Sequence, residues 1–152
     1  MSNLLEMKAK VQQMLIDHVG TIRIVPDGRF AFEVGSTNVF VRVNQPESAA
    51  YTYAILTAPI TIGVPTTPEL FKWVALNTDG YLFGHIGVAI DNEDAPTATL
   101  VFTHTLLVDY LDAEELRRAV SAVSASAPRG ASPNSSTTAT SKRRPATSCG
   151  PT

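Results

Sequence analysis

The chain has 152 residues, 44% hydrophobic and 17% charged, which fits one globular domain able to bury a core without covalent staples. Its single cysteine, Cys149, excludes an internal disulfide and a cysteine-built metal cluster. Up to residue 125 there are eight cations against fourteen acids, a charge of −6, whereas Arg129, Lys142, Arg143 and Arg144 follow with no acid; the body lacks the basic face that nucleic acid requires.

The first helix is expected from about Asn3 to His18. Leu4, Met7, Val11, Met14, Leu15 and His18 recur at three- and four-residue spacings and form one stripe, and Gly20 ends it. Strands follow. Ile22 and Ile24 alternate with Thr21 and Arg23. Pro26-Asp27-Gly28 is a turn, because proline presets φ and glycine accepts a positive one. Phe30, Phe32 and Val34 alternate with Arg29, Ala31 and Glu33. Residues 35–38 turn the chain again, and Val39, Val41 and Val43 alternate with Phe40 and Arg42. This is the pattern of a meander with one buried face. Residues 44–50 form a loop. The strand from Tyr51 to about Ile62 is apolar on both faces: Tyr51, Tyr53 and Ile55 on one, Ala54, Leu56, Ile60 and Ile62 on the other. Such a strand is central or covered by a partner. Pro59 lacks an N–H, which places that end at an edge or a bulge.

Thr67-Pro68-Glu69 opens the second helix with a hydroxyl cap, a proline at the first helical position and an early acid. Leu70, Phe71, Trp73 and Val74 supply its buried side, and Asp79-Gly80 ends it. A hairpin follows, with strands over Tyr81–Ile90 and Thr97–Asp109 joined by Asn92–Pro96. Even positions are apolar in both: Leu82, Ile86, Val88 and Ile90, then Leu100, Phe102, Leu106 and Val108. Even residues must therefore pair with even ones. Asp112 and Glu115 form a capping box for the last helix, whose stripe is Leu116, Val120 and Val123. The fold expected is α+β, an antiparallel sheet of about five to six strands packed by three helices in the order α-β-β-β-β-α-β-β-α. The domain spans residues 1–125. Residues 126–152 are a Ser/Thr/Pro-rich basic tail with no apolar anchor, and disorder is expected there.

No segment approaches the roughly 18 apolar residues of a membrane span, and the N-terminus carries Glu6, Lys8 and Lys10 where an export signal would be apolar, so a cytoplasmic protein away from membranes is expected. His104 falls on the even face of its strand and His85 on the odd face of its neighbour. They cannot share a metal, and His18 sits at a helix end, so no metal site and no cofactor are expected. Asp91, Glu93 and Asp94 read as a solvated turn without calcium-loop spacing. There is no nucleophile elbow or phosphate loop; Gly80, Gly84 and Gly87 mark close backbone approach instead. Lys142-Arg143-Arg144 reads as part of a solvated tail. Phe40, Tyr51, Tyr53, Tyr81 and Phe83 fall on the phase opposite the core positions and form a candidate apolar patch.

The order of elements, with PDGRFAFEVGSTNVFVRV, APITIGVPTTPELFKWVALNT, YLFGHIGV and LLVDYLDAEELRRAV, resembles type III secretion chaperones and the related bacterial YbjN-like proteins over about residues 3–125. The resemblance implies a non-enzymatic peptide- or protein-binding module, often acidic and often dimeric. The tail departs from the compact family domain.

Three readings follow. The first is a chaperone-type module that holds an extended client over a sheet edge or apolar groove, with Tyr51, Tyr53, Tyr81 and Phe83 as its contacts. The second is a structural or regulatory homodimer without a client, joined through the strand at 51–62 and the Trp73 helix. The third is a small-molecule enzyme, for which no converging polar groups can be named, so no activity is expected.

Overall fold

A computed structural model describes residues 3–48, 50–81, 83–90, 92 and 94–126. The expectations for Leu82, Asp91 and Glu93, for disorder past Ser126, and for Cys149 and the Lys142-Arg143-Arg144 run concern residues outside that set.

The elements are α1 (Leu4–Val19), β1 (Arg23–Ile24), β2 (Phe30–Val34), β3 (Thr37–Asn44), β4 (Tyr53–Pro65), α2 (Pro68–Asn77) with a short 3-10 turn (Thr78–Gly80), β5 (His85–Ala89), β6 (Thr97–Leu107) and α3 (Ala113–Ser126). Their order is the one expected. Six strands form one antiparallel sheet in the order β1-β2-β3-β4-β6-β5.

Local signals set the helix ends. The Asn3 side chain accepts from Leu5 N, the Thr67 hydroxyl from Leu70 N, and the Asp112 carboxylate from Glu115 N at 2.7 Å. Each satisfies an amide that the first helical turn leaves unpaired. Gly28, at φ 80, closes the β1–β2 turn in a conformation that side chains resist.

One core holds the fold. Val11 and Leu15 of α1, Leu70 of α2, and Leu116, Val120 and Val123 of α3 pack with one alternating set from the sheet, which includes Phe30, Val41, Leu56, Leu100 and Phe102. All three helices therefore cover the same face, and among the described residues the other face has no helix over it. Each fully buried Leu or Phe contributes about 1.5–3 kcal/mol. The exposed Arg29–Asp27 and Arg117–Glu114 pairs are solvent-screened and add little, so burial decides the architecture.

β4 is central, between β3 and β6, as its two apolar faces predict. Pro59 marks a bulge in that central strand. Register shifts fall between Pro59 and Thr61 and between Thr61 and Val64. Each inserts a residue, so the inward phase slips and then returns at Val64. This overturns the expected place of Ile62, which is 76% exposed and not in the core. The even-with-even pairing holds: Ile86 opposes Phe102 and Val88 opposes Leu100.

Other expectations are corrected. His18 is exposed, because the buried turns of α1 end at Leu15. Phe71 is exposed as well: Leu70, Trp73 and Val74 face the core, and the neighbouring position points away. Ile24 lies in a two-residue edge strand and is exposed. The first hairpin strand does not begin at Tyr81; it begins at His85.

Candidate functional site

The mismatch in length between β5 and β6 creates the site. β5 pairs with β6 only over Thr99–Thr103, whereas β6 runs on to Leu107. The cause is local. Gly84 has φ 80, and a Cβ there would collide with the Thr103 carbonyl oxygen and stand 2.8 Å from the Phe102 ring. β5 starts one residue later, at His85. Among the described residues, His104–Leu107 pairs with β4 alone, and no described strand runs along its far side. Of the three glycines expected to mark close approach, Gly84 does so; Gly87 makes an ordinary 3.6 Å contact, and Gly80 has open space.

A groove of about 820 Å³ lies beside this edge, between β6 and α3. Phe83 and Leu106 supply apolar wall, Ala119 and Ala122 the helical side, and Asp112, Glu115 and Arg118 the rim. Phe83 is 57% exposed, and its ring meets the His104 ring edge-on at 6.1 Å. His104 is half-buried. Desolvation pushes its pKa below the ordinary value, more than the charge of Glu115 raises it, and His85 lowers it slightly further. Glu114 accepts from Arg117 at 2.7 and 2.6 Å and from Arg118 at 2.9 Å, and these bonds hold its carboxyl down at about 2. It is a spent charge. Asp112 and Glu115 have no ion pair among the described residues.

The corner between β6 and α3 is held firmly. Val108 N donates to Thr52 O at 2.8 Å, Thr52 N to the Asp109 carboxylate at 2.6 Å, and Lys10 Nζ to Val108 O at 3.2 Å. The Thr52 hydroxyl is fully buried and has no partner among the described residues.

The outer sheet face borders the same edge from the other side. Tyr53 opposes Leu107, which is 53% exposed, and the Tyr51 ring lies 6.5 Å from the Tyr53 ring. Ile55 lies one row on, between Arg42 and Thr105.

The four aromatic residues named from sequence thus do not form one patch. Tyr51 and Tyr53 share the outer face. Phe83 stands on the groove side with His104. Tyr81 is half-buried and packs edge-on against core Phe102 at 5.0 Å, so it belongs to the margin of the core. Tyr81 and Phe83 leave the expected phase because strand alternation stops at Gly84. Phe40 is half-buried under the Arg29 guanidinium, 4.9 Å from its centroid. Sequence reasoning misses Leu106, Leu107 and the α3 rim. The one signal for them is the glycine at position 84, together with unequal apolar runs on the two hairpin strands.

His85 opposes Thr103, and the neighbouring His104 faces the other side of the sheet, as the phase argument requires. No group of three metal-ligating side chains occurs among the described residues. No helix among them is long and apolar enough to cross a membrane. Comparison with known protein families and with curated proteins found no match to this chain.

Proposed function

We propose that this chain is a non-enzymatic, cytoplasmic peptide-binding module that takes an extended segment as an added strand along His104–Leu107. The observation that carries the reading is an edge left unpaired among the described residues, flanked by apolar surface on both faces of the sheet. An unpaired strand edge offers backbone donors and acceptors in register for a new strand. Side chains of an added strand alternate between faces. One set would enter the groove beside Phe83 and Leu106, and the other would lie on Leu107 and Tyr53. Backbone bonds would supply affinity without sequence demands; the two apolar surfaces would select large side chains at alternate positions. The resemblance to type III secretion chaperones and YbjN-like proteins implies a peptide- or protein-binding module, with which this reading agrees.

The test is selection of random twelve-residue peptides displayed on phage, followed by binding measurements with the variant Tyr53→Ser, Phe83→Ser. Tyr81 is left intact because it packs on Phe102. Selected peptides should alternate large apolar residues, slow amide exchange at 104–107, and bind the folded variant at least tenfold more weakly. Equal binding by wild type and variant would remove the proposal.

A second reading, a homodimer, draws on the outer face, where Tyr53, Ile55 and Val101 are only half-buried with no described helix above them. Trp73 packs against the core on the helical side, so the shared surface in that case is the outer sheet face alone. Sedimentation of wild type and Ile55→Lys separates the two readings: a monomer at micromolar concentration eliminates a constitutive dimer.

A further inference from the structure

We infer that the groove has a resident ligand in this same chain: residues 135–144, Ser-Ser-Thr-Thr-Ala-Thr-Ser-Lys-Arg-Arg, laid as a strand on His104–Leu107 with its cations at the Asp112 end of α3. The inference rests on the strand-addition reading and names the segment that a client must displace.

Chain length and position make the contact reachable. α3 lines the groove from Asp112 to Ala122 and ends at Ser126, one turn past the groove's far end. The tail therefore leaves the body where the groove opens. From Glu114 to Ala122 the helix spans roughly 12 Å. The edge from His104 to Leu107 spans roughly 10 Å, so wall and edge are similar in length. Residues 127–134 extend to at most about 26–29 Å, enough to return the chain to either end of the groove.

Charge sets the direction. The tail carries four cations and no acid. The groove rim has Asp112 and Glu115 without ion pairs among the described residues, while Glu114 is already held by Arg117 and Arg118. Asp112 lies just beyond Leu107, so it marks that end of the edge. A strand running parallel to β6, with Thr138-Ala139-Thr140-Ser141 beside residues 104–107, carries Lys142, Arg143 and Arg144 directly to Asp112 and Glu115. The opposite direction takes them to the Ala122 end, which has no acid in the lining.

The composition of the segment fits the role. No proline occurs between Pro133 and Pro145, so every backbone N–H is available for pairing. Threonine favours extended backbone. Its methyl group and that of Ala139 fill the groove only partly, which makes the contact weak. A covalent tether supplies an effective concentration on the order of millimolar, sufficient for a weak strand to occupy the site. A client with larger apolar side chains would outcompete it. The tail then acts as a placeholder that covers the bare edge against unwanted strand pairing.

The experiment is amide hydrogen exchange at residues 104–107 in the full-length chain. The variants are Thr138→Pro with Thr140→Pro, which removes backbone donors, and Lys142→Glu, Arg143→Glu, Arg144→Glu, which inverts the charge. Wild-type amides should exchange at least fivefold more slowly than those of either variant. Adding Glu115→Lys to the charge-inverted tail should restore part of the protection. A synthetic peptide of residues 135–144, added to the proline variant, should slow the same amides, and less so in 1 M salt. Equal rates in wild type and both variants would overturn the inference. Protection that grows with protein concentration would place a second copy's tail in the groove and overturn the contact within one chain. If the tail variants match wild type while a phage-selected peptide still protects residues 104–107, the edge remains a binding site and only its resident is refuted.

Discussion

Replacement of Gly84 by alanine tests the feature that frees the β6 edge. Two costs apply. Gly84 has φ 80, where an L residue is strained by about 1–2 kcal/mol. Its Cβ would also meet the Thr103 carbonyl oxygen and approach the Phe102 ring to 2.8 Å. Phe102 is fully buried and cannot yield, so overpacking adds about 1–3 kcal/mol. Alanine restricts the unfolded chain and returns about 0.4–1 kcal/mol. The net expectation is a loss of about 1–5 kcal/mol, centred at about 3 and on the order of 10 °C in Tm for a chain of this size. Gly28→Ala is the internal control. Gly28 has the same φ of 80, but a methyl group added there would meet nothing within 4 Å, so only the strain applies, about 1 kcal/mol after the unfolded-state gain. Urea unfolding followed by Trp73 fluorescence and far-UV circular dichroism measures both. If Gly84→Ala costs no more than Gly28→Ala, the close approach is not what ends β5 pairing, and the account of the free edge fails.

Thr52→Val removes a fully buried hydroxyl that has no described partner while keeping its shape, so a gain of about 1 kcal/mol in urea unfolding is expected; a loss would mean that the hydroxyl is satisfied. Asp112→Ala should cost about 1 kcal/mol through loss of the cap to Glu115 N, read by the same unfolding curve. His104 has its pKa lowered from 6.5 by burial, so as pH falls the unfolded chain takes up the proton first. Stability should therefore decline below about pH 6.5 and level off once the folded form also protonates. His104→Asn should flatten that part of the profile, and an unchanged slope between about pH 7.5 and 5.5 would assign it to other groups.

Much of the fold is legible in the sequence because its signals are local. Thr67 and Asp112 cap helices through side chains three residues from the amides they bind, so short sequence windows contain both partners. The alternation at Val39, Val41 and Val43 reports a buried face directly, and Pro59 announces an irregularity that the register shifts locate. Phe71 and Ile62 depart from their expected places for different reasons. Phe71 sits at the margin of a helical stripe, where one residue's rotation of about 100° decides burial. Ile62 lies among bulges whose number cannot be read from one proline.

The candidate site is legible only in part. Tyr51, Tyr53 and Phe83 border the β6 edge, but on opposite faces, and Tyr81 turns to Phe102. Periodicity assigns a face only while the strand lasts, and β5 starts at His85.

By itself the amino-acid order determined the succession of helices and strands, their caps, most of the inward set of side chains and the separation of an acidic body from a basic tail, since each depends on neighbours within a few residues. Only the tertiary structure decided that β6 outlasts β5, that all three helices share one face, and that a groove opens between α3 and an edge unpaired among the described residues. Those features are differences between elements far apart in the chain, and they exist only once the strands are in register and the Gly84 backbone has met Thr103.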